Sequence, residues 1–548
     1  MVASHQERVK AARRAARRGR HERQRRHRHY HPGRRLTRDQ RAVAERLTAG
    51  QVDLVTISGW GIVGQFVALL EELRFFALLD VDGTGFKRVM IPIARLVLTY
   101  QVKILLGIGS INLVPLRLFR DHALLTLIGY TTTQIQAGFC DRGQLAVGPM
   151  HKNTLADAVE RLSAEELETL LNETVKRLVQ RGFFTTSRGH FALDASDLET
   201  TRRYTGAGMK AVTERQVTKK QEVVEVVRYV YGFKVLIVYE VRLRLVVAAK
   251  VVPINEHESH QTLALVRQAI DNLGPGVLRV LVLDKGFLDG ETLWTLKHEL
   301  HTDFVVPSKD TMHVTTDARS LCRRAADRDM IVMQERAGHQ TVRHDGTIRW
   351  DGQVTVVGVT ALGSYDQYGT AEHTKQANRK DFVANPINAV VVTAWAGTAY
   401  AAGHEPVFLT SLAVTQPLAV LDLYDLRSLI ENTAFRELKQ GWCLLSYPKK
   451  TAAAVRGHVL LTVLTFTLAN AFQTRQGHRL TQHGIRHQRA EADCGTVIVF
   501  AGEHYGIFDI EEVVILLGLI PATCLRVDPD EVRRRYGLPV PDALPATA

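Results

Sequence analysis

The stretch "YGFKVLIVYEV", Tyr231–Val241, decides the fold of this chain. It is rich in β-branched and aromatic residues, which are typical of buried strands. The apolar run that follows it, "LRLVVAAKVVPIN", predicts a second strand, paired with the first through a turn around Arg242–Arg244. An earlier segment, "HFALDAS", contains a short apolar run that ends at Asp194. Three strands therefore come first in this part of the chain.

Helices and strands alternate after these three strands. "QTLALVRQAIDNLG" predicts a helix that ends at Gly274, and "GVLRVLVLDKGF" contains a strand that ends in Asp284. A helix, "DGETLWTLKHEL", and a strand, "TDFVVPSK", come next. Three strands followed by alternating strand and helix is the order of the RNase H-like fold. We therefore expect an α/β protein with an RNase H-like catalytic core.

The rest of the chain differs from this core in pattern. The segment before it is mostly helical in periodicity, and a β-rich, polar insertion follows residue 309. The expected divisions are a basic disordered arm at 1–40, a helical N-terminal domain at 41–185, a first core part at 186–309, a β-rich insertion at 310–420, a second core part at 421–475 and a C-terminal region at 476–548. The helical N-terminal domain is either a module that binds DNA ends or a packing domain.

The positive charge is concentrated at the N-terminus. The 548-residue chain has a net charge of +13, and residues 1–40 contain 14 basic and three acidic residues, a net +11. Such blocks of like charge often neutralise phosphates in nucleic acids. The alternative is an extension that only increases solubility.

Cysteine usage and hydropathy limit the compartment. The five cysteines are scattered and form no CxxC pair, which fits a reducing cytosol and argues against zinc or disulfide frameworks. No apolar segment follows the Arg-rich N-terminus, so no signal peptide is expected. The apolar run "HVLLTVLTFTLANAF" is short for a bilayer span and predicts a buried helix. We expect a cytoplasmic, nucleoid-associated protein that does not associate with a membrane.

Three acidic residues are candidates for a functional site. Two end hydrophobic strands, and the third lies on a helix beside other polar residues. Asp194 and Asp284 each end a hydrophobic strand, where an unpaired carboxylate is costly. Sharing divalent cations makes such a pair favourable, and Mg²⁺ prefers oxygen ligands. Glu431 would complete the set from a helix. Each acid also has an ordinary interpretation, as a turn or cap residue or as a solvated helix residue.

Glu431 lies in "YDLRSLIENTAFRELKQGW", Tyr424–Trp442, which predicts a helix. At about 100° per residue, Tyr424, Arg427 and Glu431 share one face. Such a cluster suits a site that holds cations and phosphates. The alternatives are an i,i+4 ion pair between Arg427 and Glu431 and a packing role for Tyr424.

The motifs of residues 130–515 resemble those of the DDE transposases of bacterial insertion sequences, in particular insertion-sequence family four. "FALDASDLETTRRYTGAG", "VLDKGF" and "YDLRSLIENTAFRELKQGW" are similar to the segments that carry that family's two aspartates and its glutamate. The resemblance implies that Asp194, Asp284 and Glu431 are catalytic and bind two Mg²⁺ ions, for which Mn²⁺ can substitute. The other implied site residues bind phosphates of the DNA ends: Tyr424, Arg427 and Lys439.

The resemblance also implies an activity and partners. The activity is cleavage of the ends of a mobile DNA segment followed by strand transfer, or cut-and-paste transposition. The partners are double-stranded DNA, as transposon ends and target, and a second copy of the chain in a homodimer on DNA. Two other hypotheses remain: a hydrolysis-only nuclease of the same fold, and an inactive or domesticated DNA-binding protein.

The spacing after Glu431 differs from the family pattern, because Lys439 stands one residue late. A regular helix would also place Phe435, Leu438 and Trp442 on the face of Arg427. One extra residue absorbed as a π-bulge between Glu431 and Phe435 would turn the apolar residues into the core and Lys439 toward the site. The alternative is a helix that ends or kinks near Asn432–Thr433.

The polar segment "PINEHESH" has two interpretations. Glu256, His257, Glu258 and His260 could be metal ligands, or the segment could be a polar loop that enters a helix. No cysteine or third histidine stands near enough to complete a zinc site, which favours the loop.

Overall fold

The computed structural model describes residues 36–58, 61–79, 91–139, 148–217, 223–323, 331–342, 348–377, 379, 381–395, 405–476, 496–519 and 527–540. Most of the basic arm, residues 1–35, lies outside the described residues. The chain divides into two compact units, Ala164–Thr474 and a second unit of Met1–Ser163 with Arg475–Ala548.

The strands are, in chain order, β1 Thr37–Arg38, β2 Leu54–Ser58, β3 His190–Thr200, β4 Gly208–Val217, β5 Val223–Glu240, β6 Leu245–Pro253, β7 Val280–Leu283, β8 Asp303–Pro307, β9 Ile331–Val342, β10 Ile348–Leu362, β11 Ile387–Trp395, β12 Val407–Thr410, β13 Thr496–Ala501 and β14 His504–Asp509.

The α-helices are α1 Gln40–Thr48, α2 Gly61–Glu72, α3 Ile93–Leu105, α4 Val114–Arg117, α5 His122–Leu127, α6 Thr132–Ala137, α7 Lys152–Arg161, α8 Ala164–Gln180, α9 Ser259–Leu273, α10 Gly290–His298, α11 His313–Arg323, α12 Ala371–Lys375, α13 Pro417–Asp425, α14 Arg436–Gln440, α15 Ala452–Gln476, α16 Ile510–Leu516 and α17 Pro529–Arg535. Short 3₁₀ turns occur at Phe75–Leu79, Ile111–Leu113 and Lys285–Phe287, and a π-helix spans Ile430–Phe435.

Five strands in the unit Ala164–Thr474 form the sheet that the sequence predicted. Their spatial order is β6-β5-β3-β7-β8. β5 is antiparallel to both β6 and β3, whereas β3, β7 and β8 are parallel to one another. Three antiparallel strands followed by two parallel ones is the RNase H-like arrangement, so the predicted core is confirmed. The turn between β5 and β6 lies at the expected place, with Arg244 at a φ of 60°.

β3 is longer than its apolar run predicted. It continues past Asp194 to Thr200, because its polar second half pairs with β5 as far as Thr200↔Tyr231. The parallel pairing of β3 with β7 does stop at Leu193↔Leu283. Asp194 is therefore inside a strand on one side and at the end of a ladder on the other.

The segment 310–420 is β-rich, as expected, but its strands continue the core sheet. β12 pairs with β8, and the order then runs β12-β11-β10-β9 in antiparallel pairs. The segment also contains α11 and α12, which the sequence did not predict. The sheet has ten strands in all among the described residues.

Helices cover this sheet. α8 and α9 pack against β6 and against each other, α10 packs against β8, and α13 packs against β9 and β10. α8 therefore belongs to the core unit, although the sequence placed it in the N-terminal domain that ends at residue 185. Its leucines Leu167, Leu170 and Leu171 are buried.

α15 is the longest helix of the described residues. Its segment Ala452–Arg475 is the one described helix long and apolar enough to cross a membrane, and 83% of its most apolar window is buried inside the protein. A core helix has these same properties, and the predicted buried helix at His458 lies within it.

The second unit contains a four-stranded sheet of order β1-β14-β13-β2. Residues of α1, such as Val43 and Leu47, share one hydrophobic cluster with Val499, Phe508 and Val532 from the C-terminal segment. The N-terminal and C-terminal segments, expected to be separate, therefore fold around a common core.

Candidate active site

The sheet register places two of the predicted acids side by side. Leu193 of β3 is paired with Leu283, the last residue of β7, and Asp194 and Asp284 are the residues that follow this pair. Parallel neighbouring strands have their carboxyl ends on the same side of a sheet, so both carboxylates lie at that end of the sheet. They lie together although their positions in the sequence are 90 residues apart.

Glu431 comes from a helical segment that is irregular in the way the sequence indicated. The π-helix Ile430–Phe435 holds the extra residue between Glu431 and Phe435, so the π-bulge hypothesis is confirmed. Phe435, Leu438 and Trp442 are buried, and the Trp442 ring contacts Phe466 edge-on with centroids 5.7 Å apart.

The prediction of one continuous helix from Tyr424 to Trp442 is wrong. α13 ends at Asp425, and tighter i→i−3 hydrogen bonds, such as Ile430 N to Arg427 O at 3.0 Å, lead into the π-helix. This change of hydrogen-bond pattern separates α13 from the π-helix.

The guanidinium of Arg427 joins the three acids. Its Nη1 lies 3.3 Å from Asp194 Oδ2, 3.6 Å from Asp284 Oδ1 and 3.0 Å from Glu431 Oε1. Any two of these oxygen atoms therefore lie less than about 7 Å apart, within reach of two divalent cations about 3.5–4 Å from each other. The acids converge although 147 residues separate Asp284 from Glu431.

Burial and neighbouring charges act in opposite directions in this cluster. The side chain of Asp194 is 9% exposed and that of Glu431 is 53% exposed. Burial raises the pKa of Asp194 to about 7, and Arg427 and the backbone N–H of Ala195 oppose that rise. For Arg427, burial lowers the pKa, but Tyr424 and the three carboxylates outweigh it, so the pKa is raised. The arginine remains charged beside the acids.

Tyr424 supports this arginine. Its ring packs against Phe408 of β12 with centroids 4.5 Å apart, and the Arg427 guanidinium lies 5.9 Å from its centroid. Lys439 lies on α14, which follows the π-helix. Burial lowers the pKa of Lys439, and the charges of Asp197 and Glu199 on β3 partly oppose that effect.

The chemistry of the three carboxylates fits a hard divalent cation, because they supply only oxygen ligands. Their present spacing suits a guanidinium: among the described residues, no group of three or more His, Cys, Asp or Glu side chains is set to hold a metal ion. The same holds for "PINEHESH", where His257 accepts or donates a 2.7 Å hydrogen bond with Ser259 at the start of α9. The segment leads through a turn into α9 at Ser259, as the loop interpretation predicted.

The sequence model of one protein family, described as "Transposase DDE domain", matches residues 185–468. This span contains all three acids, Arg427 and the whole ten-stranded sheet. The chain belongs to this family. It is accordingly a DNA transposase of the DDE type.

Two further comparisons bear on this DDE transposase. A cryo-EM structure of a piggyBac transposase synaptic complex with hairpin DNA aligns with 93% of this chain and 87% of that chain, at 9% identity and a TM-score of 0.34. That similarity is too low to support a conclusion about a shared fold, and the family assignment rests on the sequence match. No curated protein matches the chain.

The sequence did not predict one ion pair near the candidate site, between Lys234 and Glu258. Lys234 of β5 is buried and its Nζ lies 2.7 Å from Glu258 Oε1. A lysine inside the apolar run "GFKVLIV" was the available signal, since a buried ammonium needs a partner. Its partner could not be identified from the sequence, because the two residues meet only through the fold.

Proposed function

We propose that this transposase performs cut-and-paste transposition of a bacterial insertion sequence: it cleaves the ends of the element and transfers them to target DNA. The observation that carries the proposal is the convergence of Asp194, Asp284 and Glu431 on one nitrogen of Arg427. Gathering three carboxylates at the carboxyl ends of two core strands is unfavourable unless cations neutralise them. A metal-dependent phosphoryl transfer needs such a gathering.

The three carboxylates would hold two Mg²⁺ ions, with Mn²⁺ as a substitute, because both cations accept oxygen ligands. When bound, such a pair activates the attacking oxygen and stabilises the leaving oxygen of an in-line displacement. The chain contributes the geometry. The pairing of Asp194 with Ile237 of β5 would hold this carboxylate in position, and the π-helix would hold Glu431 beside it.

Tyr424, Arg427 and Lys439 would bind phosphates of the DNA ends. Arg427 suits this role because a guanidinium binds phosphate through parallel hydrogen bonds, and Lys439 adds a point charge. Each end must be held while it is cut and joined, so we propose that two copies of the chain act together on double-stranded DNA. The site of action would be the nucleoid in the cytoplasm.

The test uses labelled double-stranded DNA that carries the inverted repeats flanking the gene, with Mg²⁺ present. Asp194→Asn, Asp284→Asn and Glu431→Gln should each lower cleavage at least about 10³-fold, roughly 4 kcal/mol of transition-state stabilisation, and leave DNA binding largely intact. Glu299→Gln is the matched control, because Glu299 forms a surface pair with Arg267 at 3.2 Å. Cleavage by any of the three variants at the wild-type rate would contradict the proposal.

Products separate the transposase from a nuclease. Strand transfer gives joined molecules that contain both the labelled end and the target. Cleavage without joined products would instead support the hydrolysis-only enzyme.

The basic arm would add affinity that does not depend on DNA sequence. Deleting residues 1–35 should flatten the dependence of DNA affinity on salt, since each phosphate contact contributes about −0.9 to the log–log slope. The measurement is a binding titration at several salt concentrations. An unchanged slope would show that the arm does not contact DNA.

A further inference from the structure

Asp284 has weaker support from the sheet than Asp194. Asp194 is paired with Ile237 of β5, whereas β7 ends at Leu283. On its other side, β7 pairs with β8 only as far as Val282↔Val305. Asp284 is thus the first residue beyond the ladder, and the 3₁₀ turn Lys285–Phe287 follows it at once. Something other than the sheet must fix this turn.

Glu258 contacts the turn from one side. A Cβ atom added to Gly286 would lie 2.6 Å from Glu258 Oε2, so the carboxylate packs directly against the glycine backbone. Gly286 is two residues after Asp284. Only a residue without a side chain leaves room for the carboxylate in this position.

The other oxygen of the same carboxylate is held by the sheet. Lys234 Nζ donates to Glu258 Oε1 at 2.7 Å and to the carbonyl oxygen of Glu256 at 3.4 Å. The side chains of Lys234 and Glu258 are 8% and 24% exposed. Glu258 immediately precedes α9, yet its carboxylate does not cap that helix. A buried ammonium is stable only with such a partner, so the lysine fixes the carboxylate in place.

We infer that Lys234 and Glu258 are positioning residues that set the Asp284 carboxylate against Asp194. Lys234 anchors Glu258 to β5, the strand that also pairs with Asp194, and Glu258 presses on the turn that follows Asp284. Both aspartates are thereby positioned relative to the same strand, β5. Neither positioning residue contacts the reacting atoms. This inference rests on the proposed role of Asp284 as a metal ligand.

The first test measures Mn²⁺ binding to the full-length protein by electron paramagnetic resonance and calorimetry, without DNA. Glu258→Gln and Lys234→Met should each weaken Mn²⁺ binding about tenfold, as is typical when a group that orients a ligand is lost. Glu299→Gln is again the control and should bind Mn²⁺ as the wild type does. Melting temperatures show whether each variant is folded.

The second test uses the contact with Gly286. Gly286→Ala should weaken Mn²⁺ binding, because the added methyl displaces the carboxylate. In a Glu258→Ala background the methyl has room, so Gly286→Ala should weaken binding no further. Losses that multiply independently would overturn the inference. If Glu258→Gln or Lys234→Met does not fold, Gly286→Ala alone still tests the inference, because it leaves both charged residues in place, and wild-type Mn²⁺ affinity in it would overturn the inference.

Asp284→Asn distinguishes a failure of the proposed function from a failure of the positioning role. If Asp284→Asn binds Mn²⁺ as the wild type does, the proposed function of the acids is wrong. If Asp284→Asn loses binding while Glu258→Gln and Gly286→Ala keep wild-type affinity, only the positioning role is wrong.

Discussion

The acids of the candidate active site come from two differently built regions, a sheet and a helix. Asp194 lies in β3, and its side chain is 9% exposed. Ten residue pairs between β3 and β5 together hold this strand in place. Glu431 lies in a six-residue π-helix, with a side chain that is 53% exposed. The sheet position depends on many pairings at once. The helix position depends on one extra residue and one arginine, so it should be easier to disturb.

The largest effect should come from removing the irregularity of the helix. Deleting Asn432 would let the π-helix close into an α-helix and rotate everything beyond it by about 100°. Phe435, Leu438 and Trp442 would leave the core, at a cost of about 1.5–3 kcal/mol each, and cleavage would be lost. Chemical denaturation gives the stability change.

Asn432→Ala is the control for that deletion. It changes the same position without changing the length of the segment, and should alter stability by no more than about 1 kcal/mol. A deletion variant as stable as this control would show that the extra residue does not set the register.

The buried acid of the sheet should make stability depend on pH. The pKa of Asp194 is raised from 3.8 to about 7, so the folded protein holds this proton more tightly than the unfolded chain. Its contribution is fully present below about pH 4 and is lost as pH rises toward 7, up to about 4 kcal/mol. Asp194→Asn should flatten this decline. Unfolding free energies measured between pH 4 and 8 in EDTA test it, and parallel curves for the two proteins would contradict it.

Arg427 connects the two regions, and its loss should be intermediate in size. Arg427→Ala leaves three carboxylates without their shared partner and should cost about 2 kcal/mol, less than a fully buried pair because Asp284 and Glu431 are partly exposed. Added Mg²⁺ should restore most of this stability, since it binds only the folded site. Thermal melts with and without Mg²⁺ measure both effects. A variant that Mg²⁺ does not stabilise would speak against a metal site.

The smallest stability effect should come from the acid of the helix. Glu431→Gln removes one exposed partner of Arg427 and should cost less than about 1 kcal/mol. Its loss of cleavage should nevertheless match that of Asp194→Asn. A stability loss as large as that of Arg427→Ala would remove the distinction between the two regions.

The sequence predicted those parts of the fold that depend on local pattern. Apolar runs identified β3 and β5 to β8, and acids at the ends of such runs identified Asp194 and Asp284. The π-bulge was predictable because Phe435, Leu438 and Trp442 lay on a face where a regular helix would expose them. In each case a few neighbouring residues carried the signal.

Pairings between distant segments were not predictable in this way. The first half of β3 is apolar, but its extension to Thr200 depends on polar residues that pair with β5. The joining of the 310–420 strands to the core depends on one contact, β12 with β8, between strands about a hundred residues apart. The sheet of β1, β2, β13 and β14 unites the two ends of the chain. No local periodicity records such partners.

The position of Arg427 has a consequence for the order of events on DNA. Because Arg427 Nη1 already lies beside three carboxylates, a DNA phosphate would compete with them for this guanidinium. Under the proposed function, an arginine that turned to a phosphate would leave the acids without their counter-ion, and they would attract cations more strongly. Cations that replaced the arginine would in turn free it for the phosphate. By thermodynamic reciprocity each ligand would raise the affinity of the other by the same factor. This exchange of one counter-ion for another would restrain cleavage until a DNA end is present.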